Sequence, residues 1–292
     1  MIKKNVIAIS EIIKAGRHSL EKRGFTEVVV PRIVRATGAC ENVNTLFEVS
    51  VDKNHKWFGN QAYLAQTGQL YLEALVPEFK KVYCTGPSFR AEGTVDDRHL
   101  TEFMMMEIEF EGNFDQLLLE IEAFVTGIAK QLVEVSKIKD LGLSSETLDR
   151  LEKCPEVFAK VTYDGAISLL KEKGESIEWG DDISSAREKI IVKHFNNQPV
   201  FITRYPDPMV DHGKEIEVEK FFNMLPDPAN PGRVLSSDLI LPFGGESVGS
   251  AARVHLAEDM VARLKNSKMF KRLLDLGGSL DDFSWYIEQL KK

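Results

Sequence analysis

Residues 81–111, KVYCTGPSFRAEGTVDDRHLTEFMMMEIEFE, predict two antiparallel strands joined by a charged loop. The second strand, 102–111, alternates strictly between two faces. The face expected to be buried is apolar and consists of Met104, Met106, Ile108 and Phe110. The opposite face carries a ring and two carboxylates and consists of Phe103, Met105, Glu107 and Glu109. Because the first strand, 82–90, ends in Arg90, a guanidinium is expected beside this second face.

The charged face of this hairpin has two explanations. An arginine fork suits phosphate oxygens and an aromatic ring suits a purine, which together favour a nucleotide lying on the sheet. Mixed charge is also common on the solvated face of a hairpin, where arginine–glutamate pairs stabilise a sheet without any ligand. Periodicity alone favours the second explanation, and both stay open at this point.

Composition and charge restrict the class of protein. The 292 residues are 43% hydrophobic and 28% charged, which is typical of a globular protein with one sizeable core. No apolar run is long enough to predict a membrane span. The three cysteines, Cys40, Cys84 and Cys154, are widely spaced, which favours a reducing compartment and makes cytoplasm the expected location. A net charge of −8 argues against a broad nucleic-acid surface but allows a local phosphate site.

A long compound pattern in the hairpin supports the nucleotide explanation. FRAE at 89–92, RHLTEF at 98–103 and E-x-E at 107–109 together resemble motif 2 of class II aminoacyl-tRNA synthetases, in the form used by the asparaginyl and aspartyl enzymes. GF-x-E-V-x-x-P at 24–31 resembles motif 1, through which class II enzymes dimerise. The resemblance implies a homodimer and an α+β fold, with a class II antiparallel sheet flanked by helices.

The likeness runs along nearly the whole chain, so a single catalytic core is expected over 1–292. Within it we expect a helical connection at about 113–195 and a loop insertion at about 206–220. The sequence shows no counterpart of two parts of the family's enzymes, the anticodon-reading barrel and motif 3 with its G-x-G-x-x-R pattern. We therefore expect a C-terminally truncated core, either a fragment or a paralogue that has lost part of it.

Two segments resemble the amino-acid pocket of the asparaginyl enzymes. Glu41 matches the glutamate that holds the substrate's α-ammonium group, with a solvated turn glutamate as the alternative. TGQLYLE resembles the S-G-Q-L-x-x-E stretch, which places Gln69 and Glu73 in the pocket. Leu72 stands where aspartate-selecting relatives carry a lysine, and an apolar neighbour suits a neutral amide better than a carboxylate. The resemblance thus implies asparagine as the ligand, ahead of aspartate.

A glycine-rich segment further along the chain forms the second strong point of the likeness. SSDLILPFGGESVGSAAR resembles the family's D-x-L-x-P…G-E-x-x-G-G-S-x-R run. The resemblance implies a shared magnesium ion at Asp238 and Glu246, with Arg253 reaching the substrate side chain. Ser250 and Ala251 depart from the family pattern, which puts the shape of the pocket, and hence the ligand, in question. An ordinary turn with an ion pair is the alternative.

The activity implied by the resemblance is formation of an aminoacyl-adenylate from ATP, with magnesium. Arg90 would bridge the substrate carboxylate and the α-phosphate, and Arg98 would neutralise the departing pyrophosphate. The matching ATP-binding positions are Arg90, Glu92, Arg98, His99 and Phe103. No general base is needed, because a carboxylate already attacks and positioning does the catalysis.

Three hypotheses follow. The first is an enzyme that activates asparagine and passes the acyl group to tRNA or to a small amine such as ammonia. The second is a catalytically silent paralogue that binds a ligand or acts as a dimeric partner protein. The third is an unrelated mixed α/β domain whose charged hairpin is structural.

Overall fold

A computed structural model describes residues 2–35, 45–50, 62–91, 93, 100–218 and 220–291, in which antiparallel sheets are flanked by helices. The helices, in chain order, are α1 (Ile2–Lys22), α2 (Gln69–Phe79), α3 (Phe114–Ser136), α4 (Ser145–Glu152), α5 (Tyr163–Glu172), α6 (Ser185–His194), α7 (Ala257–Asn266), α8 (Lys268–Asp275) and α9 (Ser284–Leu290). The strands are β1 (Thr26–Glu27), β2 (Ile33–Val34), β3 (Glu48–Val49), β4 (Ala62–Leu64), β5 (Lys81–Phe89), β6 (Glu102–Phe110), β7 (Ala159–Thr162), β8 (Val200–Thr203), β9 (Ser236–Leu241) and β10 (Gly245–Ala251). The predicted sites at Glu41, Glu92, Arg98 and His99 lie outside the described residues.

The hairpin predicted from residues 81–111 is formed by β5 and β6, and β1 pairs in parallel with β5. Its register places Cys84 opposite Glu107 and Ser88 opposite Phe103. The small residues Cys84 and Ser88 of β5 therefore share a face with Glu107 and Phe103 of β6. This face is the floor of the candidate site.

The opposite face of β6 packs on helices, except at its loop end. Ile108 and Phe110 belong to a cluster with Tyr83, Leu20 and Phe25. Met106 lies against Gly16 of α1. A Cβ at Gly16 would collide with the Met106 sulfur. Met104 is 55% exposed, so the predicted buried face stops before it.

Helix α3 packs against two sheets, the sheet that contains the β5–β6 hairpin and a second sheet formed by β7 to β10. A capping box begins it, because Asn113 Oδ1 accepts from the Gln116 N–H and the Gln116 side chain accepts from the Asn113 N–H, each at 2.9 Å. Its first turns pack on Phe201 and Leu239 of the second sheet, and Phe124 further along packs under the β5–β6 hairpin. The helix thereby fixes the position of one sheet relative to the other.

The second sheet has the strand order β10–β9–β8–β7, with β7 and β8 parallel and the other pairs antiparallel. Strand β7 lies inside the connection of about 113–195 that we expected to be helical, so this prediction is wrong at that point. The strand forms because its pairing with the fully buried β8 satisfies its backbone groups.

The described residues of the expected insertion, 206–218 and 220, are irregular and are anchored near both ends. Asp207 accepts from both terminal nitrogens of Arg263, at 2.9 and 3.0 Å, and Val218 is buried. In the part of the chain that the structure describes, no helix is long and apolar enough to cross a membrane.

Candidate active site

Arg90 and Phe103 lie on the same side of the β5–β6 hairpin. The guanidinium carbon of Arg90 is 5.0 Å from the centre of the Phe103 ring, within the range of a cation–π contact. Arg90 directly follows β5, and its N–H donates to the Thr101 carbonyl at 2.9 Å, which continues the hairpin ladder by one step. The two side chains assigned to phosphate and adenine by the resemblance therefore share one surface.

Glu107 ties the turn before α2 to strand β6. Its carboxylate accepts from the Thr67 hydroxyl and, at 3.0 Å, from the Gly68 N–H. One carboxylate thus binds two donors of consecutive residues, a hydroxyl and a backbone N–H, and holds this turn against the sheet. The beginning of α2, which carries the predicted pocket residues, is positioned by this contact.

Arg32 is a residue of this surface that the sequence analysis missed. Its Nη1 lies 3.7 Å from Glu107 Oε1, and its Nη2 lies 3.6 Å from the Cys84 sulfur. Burial raises the pKa of the Cys84 thiol to about 12, so this sulfur stays protonated. A Cβ at Gly86 would collide with the Arg32 guanidinium, so the glycine admits the arginine to the face. The sequence does contain a sign of this contact, because a glycine in the middle of a predicted strand often marks the close approach of another group.

Glu73 is the centre of the predicted amino-acid pocket. Its Oε1 accepts from Gln69 Nε2 at 2.5 Å and from Asn223 Nδ2 at 3.3 Å, and the Tyr286 hydroxyl donates to its Oε2. Arg253 Nε lies 3.5 Å from Oε1. Burial raises the pKa of Tyr286 well above its usual value, which keeps this hydroxyl a donor. Gln69, Glu73 and Arg253 are therefore brought together, and Asn223 and Tyr286 join them from distant parts of the chain.

Arg253 also reaches strand β6, where its Nη2 lies 3.3 Å from Glu109 Oε1. Burial raises the pKa of Glu109 to about 8, against the opposing effect of the Arg253 charge and with a further rise from Glu73. Leu72 is fully buried in a cluster with Val30.

Asp238 and Glu246 face the same side of the β9–β10 hairpin. A Cβ at Gly249 would lie 3.5 Å from Glu246 Oε1 and 3.9 Å from Asp238 Oδ1, so the glycine leaves room between the two carboxylates. The charge of Asp238, followed by burial, raises the pKa of Glu246 to about 7. Lys220 Nζ donates to Asp238 Oδ2 at 2.6 Å and lies 3.9 Å from the centre of the Tyr205 ring.

As placed, these side chains do not fit the magnesium ion that the resemblance implies. Magnesium takes about six oxygen ligands at roughly 2.0–2.1 Å, whereas Asp238 Oδ2 is already bound by an ammonium group. Within the described ranges, no group of three or more His, Cys, Asp or Glu side chains is arranged to hold a metal. Magnesium at Asp238 and Glu246 stays a prediction.

Comparisons with known proteins agree on one family. A family model of class II tRNA synthetases (D, K and N) matches residues 1–292. An asparagine–tRNA ligase of Desulforamulus reducens is 37% identical over 282 residues, which are 96% of this chain and 59% of the relative. The asparagine–tRNA ligase of Pyrococcus horikoshii is 36% identical over 280 residues, which are 95% of this chain and 58% of the relative.

Solved structures agree with these relatives. The asparaginyl-tRNA synthetase of Pyrococcus horikoshii complexed with asparaginyl-adenylate matches with a TM-score of 0.83 at 32% identity, over 99% of this chain and 60% of that one. The asparaginyl-tRNA synthetase of Entamoeba histolytica matches with a TM-score of 0.77 at 27% identity, over 99% of this chain and 59% of that one. The chain thus spans about three-fifths of the length of the proteins it matches.

Proposed function

The chain belongs to the class II tRNA synthetases (D, K and N), and from that premise we propose that it activates asparagine with ATP to form asparaginyl-adenylate. One observation carries the proposal. Phe103, Glu107 and Glu109 lie on a single face of β6. Phe103 contacts Arg90, Glu107 accepts a hydrogen bond from the turn before α2, and Glu109 forms an ion pair with Arg253. The proposed nucleotide and amino-acid positions are therefore adjacent on one strand.

In this reaction an oxygen of the asparagine carboxylate attacks the α-phosphorus of ATP. A new carboxyl–phosphate bond forms, the bond between the α-phosphorus and its bridging oxygen breaks, and pyrophosphate leaves with the electron pair. Arg90 would hold the carboxylate and the α-phosphate in line, and Phe103 would stack on adenine. Arg98, Glu92 and His99 keep their proposed ATP-binding roles from the sequence. No side chain needs to remove a proton, because the carboxylate is already ionised.

The charge around Arg253 supports asparagine over aspartate. This guanidinium already faces two glutamates, Glu73 and Glu109. A substrate carboxylate would place a further negative charge beside Glu73 at the same buried cation, whereas a neutral amide would not. We propose that Gln69, Glu73 and Arg253 surround the side-chain amide, with Glu41 at the α-ammonium group.

The acyl acceptor that the relatives' names support is tRNA, since they are asparagine–tRNA ligases. The net charge of −8 favours a second candidate, a small amine such as ammonia. We further propose a single core over 1–292, a cytoplasmic location and a homodimer formed through α1. The dimer is supported by exposed apolar side chains on one face of α1, Val6, Ile9 and Ile12.

ATP–pyrophosphate exchange by the full chain tests the proposed activation. We expect exchange that depends on asparagine and is weaker with aspartate. Binding of ATP or asparagine without exchange would support the catalytically silent paralogue instead. Transfer to tRNA and to ammonia, followed in parallel from the adenylate, then distinguishes the two acceptors.

A further inference from the structure

The ion pair between Lys220 and Asp238 is buried on both sides. The two side chains are 12% and 8% exposed, and their charged atoms are 2.6 Å apart. The Lys220 ammonium also lies 3.9 Å from the centre of the Tyr205 ring, whose π-face attracts a cation. Leaving either charge of such a pair unpartnered in the interior is strongly unfavourable. Lys220 is therefore held in place as the counter-charge of Asp238.

Further carboxylates surround this pair. Gly249 pairs with Asp238 across the β9–β10 hairpin, and the Glu246 carboxylate reaches the same glycine. The Glu246 N–H donates to Glu188 Oε2 at 3.2 Å, so a carboxylate from α6 also reaches the hairpin. The Lys220 ammonium therefore lies where the Asp238 and Glu246 carboxylates converge, and it is the direct partner of Asp238.

The backbone that follows Lys220 is fixed next to the amino-acid pocket at Asn223 and Leu225. The Leu225 N–H donates to the Ala252 carbonyl and the Val254 N–H donates to the Asn223 carbonyl, each at 2.8 Å. Asn223 in turn donates to Glu73. Withdrawing the ammonium from Asp238 would therefore require the lysine side chain to leave a packed site while its backbone stays anchored.

We propose that Lys220 is the resident cation of the Asp238–Glu246 pair and excludes a divalent metal ion from it. The positive charge that the family resemblance assigns to magnesium at these carboxylates is then supplied by the protein itself. This inference concerns metal binding by the nucleotide-free chain, so it stands or falls independently of the proposed adenylate formation.

Binding of Mn²⁺ alone, measured by electron paramagnetic resonance on the nucleotide-free chain, tests the inference. In Lys220→Met, a side chain of similar length without charge, we expect Mn²⁺ to bind about tenfold or more tightly than in the wild type. Adding Asp238→Asn to that variant should abolish the gain. Lys220→Arg, which keeps the charge, should bind Mn²⁺ as the wild type does.

Thermal unfolding provides the second readout. Lys220→Met should unfold at a lower temperature than the wild type in EDTA, and Mn²⁺ should recover part of the loss, because the ion replaces the missing charge. The control variant is Lys160→Met, in a part of the chain distant from Lys220. Lys160 Nζ lies 3.7 Å from Oε1 of the buried Glu122, and its removal should create no Mn²⁺ site.

Two outcomes would overturn the inference. The first is wild-type Mn²⁺ binding that Asp238→Asn weakens by about tenfold or more, because the carboxylate would then be open to metal despite the lysine. The second is a folded Lys220→Met chain with no gain in Mn²⁺ affinity. If Lys220→Met does not fold, the comparison of the wild type with Asp238→Asn and the same titration of Lys220→Gln decide the matter.

Discussion

The Arg90 guanidinium rests on the Phe103 ring, with 5.0 Å between the guanidinium carbon and the ring centre. The contact joins the end of β5 to the start of β6. In the proposed complex the guanidinium would move to the phosphates while adenine takes its place on the ring. The same two side chains would therefore contact each other without ATP and would make two separate contacts in the proposed complex.

Replacing either side chain should impair the proposed ATP site in a distinct way. Phe103→Ala should weaken ATP binding by about tenfold, because it removes a stacking surface worth roughly 1–1.5 kcal/mol. Arg90→Ala should lower the rate of pyrophosphate exchange by about 10²–10³, because it removes a charge from the transferring phosphate. Calorimetric titration with ATP and exchange kinetics measure the two effects.

A second arginine–aromatic pair provides the control for these variants. Arg150 lies over the exposed Phe243 ring, with its guanidinium carbon 4.2 Å from the ring centre. Arg150→Ala should leave both ATP affinity and exchange unchanged. Unaltered ATP affinity in Arg90→Ala and Phe103→Ala would contradict the proposed nucleotide site and return the hairpin to a structural role.

Glu73 should contribute to stability as well as to binding. Glu73→Gln removes the charge that partners Arg253 and presents an amide where three donors converge, which should cost roughly 3 kcal/mol of unfolding free energy. Tyr286→Phe should cost only about 1 kcal/mol, the value of one hydrogen bond. Urea unfolding measures both.

The matched control for the Glu73 variant is Glu134→Gln, which removes one partner of the exposed pair with Lys137. Its effect should stay within about 0.5 kcal/mol. Equal losses in Glu73→Gln and Glu134→Gln would mean that the buried network around Arg253 does not form.

Stability should fall as pH rises through the range set by Glu109. Burial raises the pKa of this carboxyl from 4.5 to about 8 in the folded chain. Between these values the folded state binds a proton that the unfolded state has lost, so the free energy of unfolding decreases with increasing pH. The stability that Glu109 contributes is fully present below the pKa it has in the unfolded chain. It is lost as pH rises through the pKa it has in the folded chain.

Glu109→Gln should flatten this part of the pH profile, and urea unfolding at several pH values measures the slope. Glu111→Gln, at the exposed end of the same hairpin, should keep the wild-type slope. A wild-type profile that rises between these pH values and is unaffected by Glu109→Gln would show that the carboxyl is ionised throughout.

The exposed face of α1 should hold two copies of the chain together. Ile9 is 56% exposed with Val6 and Ile12 beside it on the helix, and Ile9→Asp would place a charge in the proposed dimer contact. We expect sedimentation equilibrium to show a dimer for the wild type and a monomer for this variant. Leu119→Asp, at a residue of α3 that is 57% exposed, should remain dimeric.

The sequence predicts those parts of the site that depend on local alternation. The common face of Phe103, Glu107 and Glu109 follows from the period of two along β6. The helix Phe114–Ser136 lies within the connection expected to be helical, and its capping box joins residues only three positions apart. In each case the information lies within a few neighbouring residues.

Contacts between distant segments could not be predicted in this way. Tyr286 donates to Glu73 across 213 positions, and Lys220 binds Asp238 from the end of an insertion that the sequence identified only as a loop. Arg32 enters the site because Gly86 leaves space for it, which requires knowing that the two segments meet. Strand β7 was missed for the same reason, since its pairing with β8 supplies what its own residues do not predict.

Glu107 stands on β6 between Phe103 and Glu109 and also holds the turn that begins α2. A nucleotide that displaced this strand would therefore also displace the residues proposed to surround asparagine. The two affinities would then be thermodynamically linked, and each ligand would change the dissociation constant of the other by the same factor.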